Sequence, residues 1–333
     1  VIKFAREKGY FSGKDADFSF SAAYSPADFG SQRFCDARAW SLFNRFVDGM
    51  DKYVDFVDGK HIGTSEVMPL YFKPKAPLAL TDVMDAMRDH YEGTPFDITT
   101  NAGAGTNGAP YRPSPLTWEY QGKKYFNERP ISTQQTGFSY ICQMRSWLLD
   151  VIGGIIWFGN DDANMVAYVP IYCGSTVQPE CFNTPGADDV TFSDKNAFWV
   201  CNWVSNMVYP RYNMMFPSLK QVRDSLENSY YANQKAVEDR AQELYAVDRA
   251  AAVKYLNAYS ITLSDQMIDR WRKLAIYLIV KYNDMAVKPE KDGKFLRTEA
   301  GIGAPVSRPG YGEYTRKALI KETGDKFLVP EEK

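Results

Sequence analysis

The chain has 333 residues, 39 Lys and Arg against 41 Asp and Glu, and a formal net charge of −2. The two signs are interspersed along the sequence, so there is no basic footprint for nucleic acid or for an anionic membrane. Aromatics make up 15% of the residues, which excludes a disordered chain. The length suffices for one large or two ordinary domains.

Asp28 or Ser31 is placed to cap a helix that runs through Ala37, Leu42, Phe43 and Phe46 and ends near Gly49. The segment 73–77 carries Pro74 and Pro77 and reads as an extended linker. Thr81 or Asp82 caps a short helix with Val83, Met84, Met87 and Tyr91 on one face, and Gly93 is its stop. Gly, Asn and Pro then dominate 99–115, a loop. Its stretch 101–108 lacks a Gly-Lys-Ser/Thr ending and opens no amphipathic helix, so it is not a phosphate cradle.

Three strands are predicted at 136–144, 154–158 and 165–172, with Asn160, Asp161 and Asp162 as the turn between the last two. The unbroken apolar run 155–158 predicts strands covered on both faces. Ser218 is read as the cap of a long helix whose apolar residues include Leu219, Val222, Leu226, Tyr230, Val237, Ala241 and Leu244. A second helix is predicted after Ser264, with Ile268, Trp271, Leu274, Ala275, Leu278 and Ile279 as a broad apolar face. From Pro289 a Lys-, Gly- and Pro-rich tail is expected to wrap the surface, anchored by Tyr311, Tyr314 and Leu319. The fold class is therefore α+β: a main region 1–288, with strands within about 131–173 and helices within about 218–284, then a tail 289–333. No apolar run approaches the roughly 20 residues of a membrane span; the longest, at 147–158 and 274–280, are broken by Gly or charge.

Five cysteines leave at least one unpaired, and none has CxxC spacing. Cys173 and Cys181, separated by a Gly- and Pro-containing loop, are either a bridge or two small buried residues. The two histidines, His61 and His90, fall in no cluster with ligand spacing, so neither a metal nor another cofactor is expected.

The run Arg88-Asp89-His90-Tyr91-Glu92-Gly93-Thr94-Pro95-Phe96-Asp97 is followed by Tyr111-Arg112-Pro113 and Ser132-Thr133-Gln134-Gln135-Thr136-Gly137. Together with the aromatic stretch 18–24, Arg38-Ala39-Trp40, the segments 157–163 and 168–173, and Lys281-Tyr282-Asn283-Asp284, this series resembles the C69 dipeptidases, a family of N-terminal-nucleophile hydrolases. Each motif alone is weak, but their order over nearly the whole chain is specific. The resemblance implies an αββα sandwich whose catalytic sheet the strands at 136–172 extend. It also implies amide hydrolysis by a cysteine at the first mature position, with that residue's own α-amine as base. The family's opening Cys-Thr, its Asn-Glu-Asp motif and its oxyanion-hole Asn are not found before Phe18, and the chain starts Val1-Ile2-Lys3. The expectation is a C-terminal portion, inactive by itself. Its partners would be a dipeptide substrate, an N-terminal catalytic half and, through an uncovered sheet edge, a second copy of the chain. The sequence does not assign a compartment.

Within that resemblance Arg38 matches the family's Arg-x-Trp and is the candidate cation beside the thiolate; Arg33 is the runner-up, on type alone a surface ion pair. His90 with Glu92 would orient the dipeptide termini or the active-site loop, against a capping or packing role. Arg112 would grip a substrate carboxylate, or pin its own loop through an ion pair. The hydroxyls of Ser132 and Thr136 are assigned to backbone, Asp161 and Asp162 to a turn, and Cys35, lacking an α-amine, to packing. The alternative function is a non-catalytic module in which the loop 93–112 recognises a peptide without cleaving it.

Overall fold

After two short helices, Ile2–Glu7 and Phe20–Tyr24, Asp28 opens a longer helical run with a reciprocal cap: its carboxylate accepts the Ser31 amide at 2.6 Å, and the Ser31 hydroxyl accepts the Asp28 amide at 2.9 Å. In this computed structural model, which describes residues 1–25 and 28–330, the run passes through a π-helical turn, Gln32–Asp36, into helix α1, Ala37–Phe46. The helix stops at extended Val47, and Gly49 in the left-handed region follows. Trp40 is wholly buried and its indole donates to the Met50 carbonyl at 2.8 Å, whereas Leu42 is exposed rather than core.

These elements belong to a compact unit made of Val1–Ala79 and Pro113–Ile131. Residues 73–77 carry no regular secondary structure, as two prolines dictate. A hairpin absent from the sequence reading pairs Thr117–Tyr120 with Lys123–Phe126. Its turn residues Gln121 and Gly122 both have positive φ, the twist that suits a two-residue hairpin loop.

The second unit comprises Leu80–Arg112 and the chain from Ser132 onward. Helix α2, Leu80–Met87, begins ahead of both predicted caps, Thr81 and Asp82, and ends well before Gly93. The cause is local competition. The Arg88 and Asp89 amides make short-range bonds to Asp85 and Ala86, and the amides of His90 and Tyr91 are taken by the Glu92 and Asp89 carboxylates. Tyr91 therefore lies beyond the helix, buried, at φ 70°.

Three antiparallel strands follow, β1 (Phe138–Met144), β2 (Gly154–Asn160) and β3 (Val169–Tyr172), in spatial order β1-β2-β3. Tyr140 stands opposite Phe158, and Trp157 opposite Pro170. Coverage on both faces is not what forms: Ile155, Trp157, Ser139 and Ile141 are buried, but Phe138, Tyr140 and Met144 are exposed. A continuous apolar run does not distinguish a strand sandwiched on both sides from one with a bare apolar face.

Helix α3 (Ala197–Val208), capped by the Asn196 side chain, was not predicted. The long helices α4 (Tyr212–Val247) and α5 (Arg249–Tyr282) start before the serines expected to cap them. Ser218 lies inside α4 and shares a hydrogen bond with the Tyr282 hydroxyl at 2.9 Å, while Ser264 is buried inside α5 and donates back to the Ser260 carbonyl. The cap of α5 is Asp248, whose side chain accepts the Ala250 amide. Trp271, Leu274, Ala275 and Leu278 enter the core, but Ile279 is exposed. The terminal segment forms a short hairpin and helix α6 (Glu313–Thr323); Tyr311 and Tyr314 are exposed, so they are not the predicted anchors. The architecture is α+β, and among the described residues no helix is long and apolar enough to cross a membrane.

Candidate functional site

The motif 88–97 leaves α2 as a clamped loop. Arg88 turns inward, donating to the Ala163 carbonyl at 3.0 Å and to the Glu227 carboxylate at 2.5 Å, and it lies over the Tyr168 ring. His90 is fully buried, with Nδ1 3.0 Å from one Glu92 oxygen and its amide donating to the other at 2.8 Å. Burial pushes the Glu92 carboxyl up, but the imidazole and amide of His90 outweigh it and hold the group at about 2. The buried Nε2 of His90 has no hydrogen-bond partner among the described residues. The backbone at Tyr91 is in the left-handed region, an uncommon place for a bulky residue, and Gly93 follows at φ 74°. Asp97 closes the loop by accepting the Gly93 and Thr99 amides at 2.9 and 2.8 Å.

Arg112 is buried against this loop. Its guanidinium donates to the Phe96 carbonyl at 2.5 Å and lies 5.2 Å from the Tyr91 ring. Its neighbour Tyr111 packs edge-on against the His90 imidazole, centroids 4.5 Å apart. Thus His90, Glu92 and Arg112 lie in the same unit, and Arg112 touches the loop that carries the other two.

Beneath them lies a group that the sequence reading passed over. Asp162 is wholly buried; it accepts the Tyr111 hydroxyl at 2.5 Å, the Ser132 hydroxyl, the Tyr209 hydroxyl at 3.2 Å and the Asn164 amide at 3.2 Å. Asp161, equally buried, accepts the Ser205 hydroxyl at 2.5 Å and the Asn202 amide nitrogen at 3.0 Å. Burial raises the Asp161 carboxyl to about 7, despite those two donors. Burial also lifts the Tyr111 hydroxyl well above its ordinary value, and Asp162 adds to the effect, so Tyr111 donates throughout the physiological range. These aspartates are more than turn residues, and Ser132 serves a carboxylate rather than backbone. The available signal was two adjacent acids directly after an apolar strand, where one solvated turn acid would suffice.

In the other unit, Arg38 follows the π-helical turn; its Nε donates to the Phe34 carbonyl at 2.5 Å and Nη2 lies 4.0 Å from the Cys35 sulfur. Cys35 is exposed, not a packing residue. Arg33 departs from the expected surface pair: it meets Glu128 at 2.9 Å with side chains 14% and 5% exposed. Asp55, Asp58 and His61 also converge, with donor atoms within 4.8 Å of one another, a grouping not recognised from their spacing. It is a mostly exposed set in which Asp58 also caps the Lys60 amide. All five cysteines are free; Cys173 is exposed, and burial pushes the Cys181 thiol up to about 12.

Residues 1–225 match peptidase family C69. The chain is 25% identical over 174 residues to a probable dipeptidase of Salmonella dublin, covering 52% of this chain and 34% of that protein. It is 25% identical over 181 residues to a probable dipeptidase of Latilactobacillus sakei, covering 53% and 34%. A dipeptidase of Bifidobacterium longum is 34% identical over 80 residues, 22% of this chain and 15% of that protein. The matches thus span about a third of the length of the first two relatives. By the extent of the family match, this chain is a member of peptidase family C69.

Proposed function

We propose that this chain is the C-terminal part of a thiol dipeptidase of the N-terminal-nucleophile type, whose cysteine lies on a segment that the sequence does not include. The thiolate attacks the scissile carbonyl, the amine leaves with a proton from the residue's own α-ammonium, and water hydrolyses the resulting thioester. The strands β1 to β3 extend the catalytic sheet of an αββα sandwich. The observation that carries the reading is the family match across 1–225, which includes the clamped loop at 88–97. In this reading His90 and Glu92 orient the ends of the dipeptide, and the unsatisfied His90 Nε2 is a group that a peptide amide would complete. Arg112 acts on substrate through the loop whose Phe96 carbonyl it holds, and Arg38 is the cation nearest the thiolate.

The purified chain, incubated with a panel of dipeptides, should release no amino acids above background; turnover abolished by Cys35→Ala would overturn the assignment. In the full-length protein, Arg38→Lys should preserve folding and lower kcat/KM on the order of a hundredfold, as for a misplaced transition-state contact worth about 3 kcal/mol. Arg33→Lys should lower it much less. Wild-type turnover in Arg38→Lys removes Arg38 from the reading.

A further inference from the structure

We infer that Asp162 is the positioning residue of the His90 and Glu92 pair, acting through Tyr111 and Ser132. The inference rests on the proposed role of His90 only for its effect on turnover; the positioning itself is a claim about geometry. Asp162 reaches the motif by two arms. Along the first, its carboxylate takes the Tyr111 hydroxyl at 2.5 Å, and the Tyr111 ring lies edge-on to the imidazole, with centroids 4.5 Å apart. Along the second, it takes the Ser132 hydroxyl, while the Ser132 amide donates at 3.1 Å to the carbonyl of Asp89, the residue before His90. One arm sets the ring and the other sets the backbone that carries it.

The rest of the constellation makes Asp162 a fixed point. Its turn is held by the Asn164 amide. Arg223 donates to the Asn164 carbonyl at 2.8 Å, and Arg88 to the Ala163 carbonyl at 3.0 Å. Tyr209 fills the remaining side of the carboxylate, and its ring packs against Tyr111 at 4.7 Å. No Lys or Arg among the described residues contacts Asp162; its carboxyl group is held by hydroxyl and amide donors that converge from several segments. Replacing the carboxylate by an amide puts an N–H2 donor against hydroxyls that already donate. At least one hydroxyl must turn away, and the ring or the Asp89 backbone moves with it.

The chain holds only two histidines, His61 and His90, which gives the test a clean readout. With ring-labelled histidine, the chain should show two imidazole signals by NMR. In Asp162→Asn the His90 signal should move while that of His61 stays. Tyr111→Phe should move His90 in the same sense, and Asp162→Asn added to Tyr111→Phe should move it little further along that arm. Glu238→Gln, a carboxylate of the Arg145 pair, should move neither. An unmoved His90 signal in folded Asp162→Asn, or in Tyr111→Phe if the first variant does not fold, overturns the inference. In the full-length protein, Asp162→Asn should lower dipeptide kcat/KM on the order of tenfold and cost nothing more when added to His90→Ala. Losses that multiply overturn the inference. If His90 moves but His90→Ala turns over normally, positioning by Asp162 stands and the substrate role of His90 falls.

Discussion

Two buried carboxylate sites clamp the segment between β2 and β3, and they balance charge in opposite ways. Glu227 is matched by a cation: Arg88 meets it at 2.5 Å with side chains 7% and 6% exposed, and the same oxygen accepts the Tyr168 amide at 2.9 Å. Asp161 and Asp162 have no cation among the described residues, only hydroxyls and amides. The first arrangement fails when one partner is removed, because the other charge is left buried alone. In the second, burial raises the Asp161 carboxyl to about 7, so that aspartate can yield by taking up a proton. Both hold their segment in place, the first with paired charges and the second with hydroxyl and amide donors.

The largest effect should come from breaking the cation-balanced site. Arg88→Met leaves Glu227 buried without its partner and should cost about 3–5 kcal/mol in denaturant unfolding. Most of that loss should return in Arg88→Met with Glu227→Leu, because the uncompensated charge is gone. A single variant as stable as the wild type would show that Glu227 is solvated and that the contrast between the sites is false.

The hydroxyl-balanced site should respond to pH instead. Asp161 in the folded chain stands at about 7, against about 3.9 for an unfolded aspartate. Between those values the folded state binds the proton and the unfolded state does not, so this contribution is fully present below about pH 4 and is lost as pH rises through 7. The span is worth about 4 kcal/mol at most. Asp161→Asn should therefore gain on the wild type progressively from pH 4 to pH 8. A difference between the two that is flat in pH would mean the carboxylate is ionised in the fold throughout.

How far this contrast could be read from sequence differs between its halves. The motif at 88–97 is a contiguous string, so its place at the end of α2 was legible, although the helix stops at Met87 and not at Gly93. The α+β class, the three strands and the helical last third were legible too, because each follows from local periodicity. Asp162 was not, since its role depends on hydroxyls from Tyr111, Ser132 and Tyr209 that only the fold assembles. The helix starts failed for a related reason: Ser218 and Ser264 look like caps, but tertiary partners and back-bonding use their hydroxyls inside helices. The bare face with Phe138 and Tyr140 was hidden because hydrophobicity along a strand does not say which faces find a cover.

The smallest expected effect sharpens the comparison at its middle case. Glu92 is balanced by an imidazole and an amide, neither a permanent cation nor neutral hydroxyls alone, and its side chain is 47% exposed. Its folded value of about 2 lies below the unfolded one, so its stabilisation is present above about pH 4.3 and is lost as pH falls toward 2. Solvent screens a half-exposed group, so Glu92→Gln should cost no more than about 1 kcal/mol at pH 7, with the difference from wild type closing at pH 2. The opposite slopes of Asp161 and Glu92 make the two separable in one set of unfolding curves. If Glu92→Gln instead costs as much as Arg88→Met and ignores pH, Glu92 belongs with the permanent ion pairs.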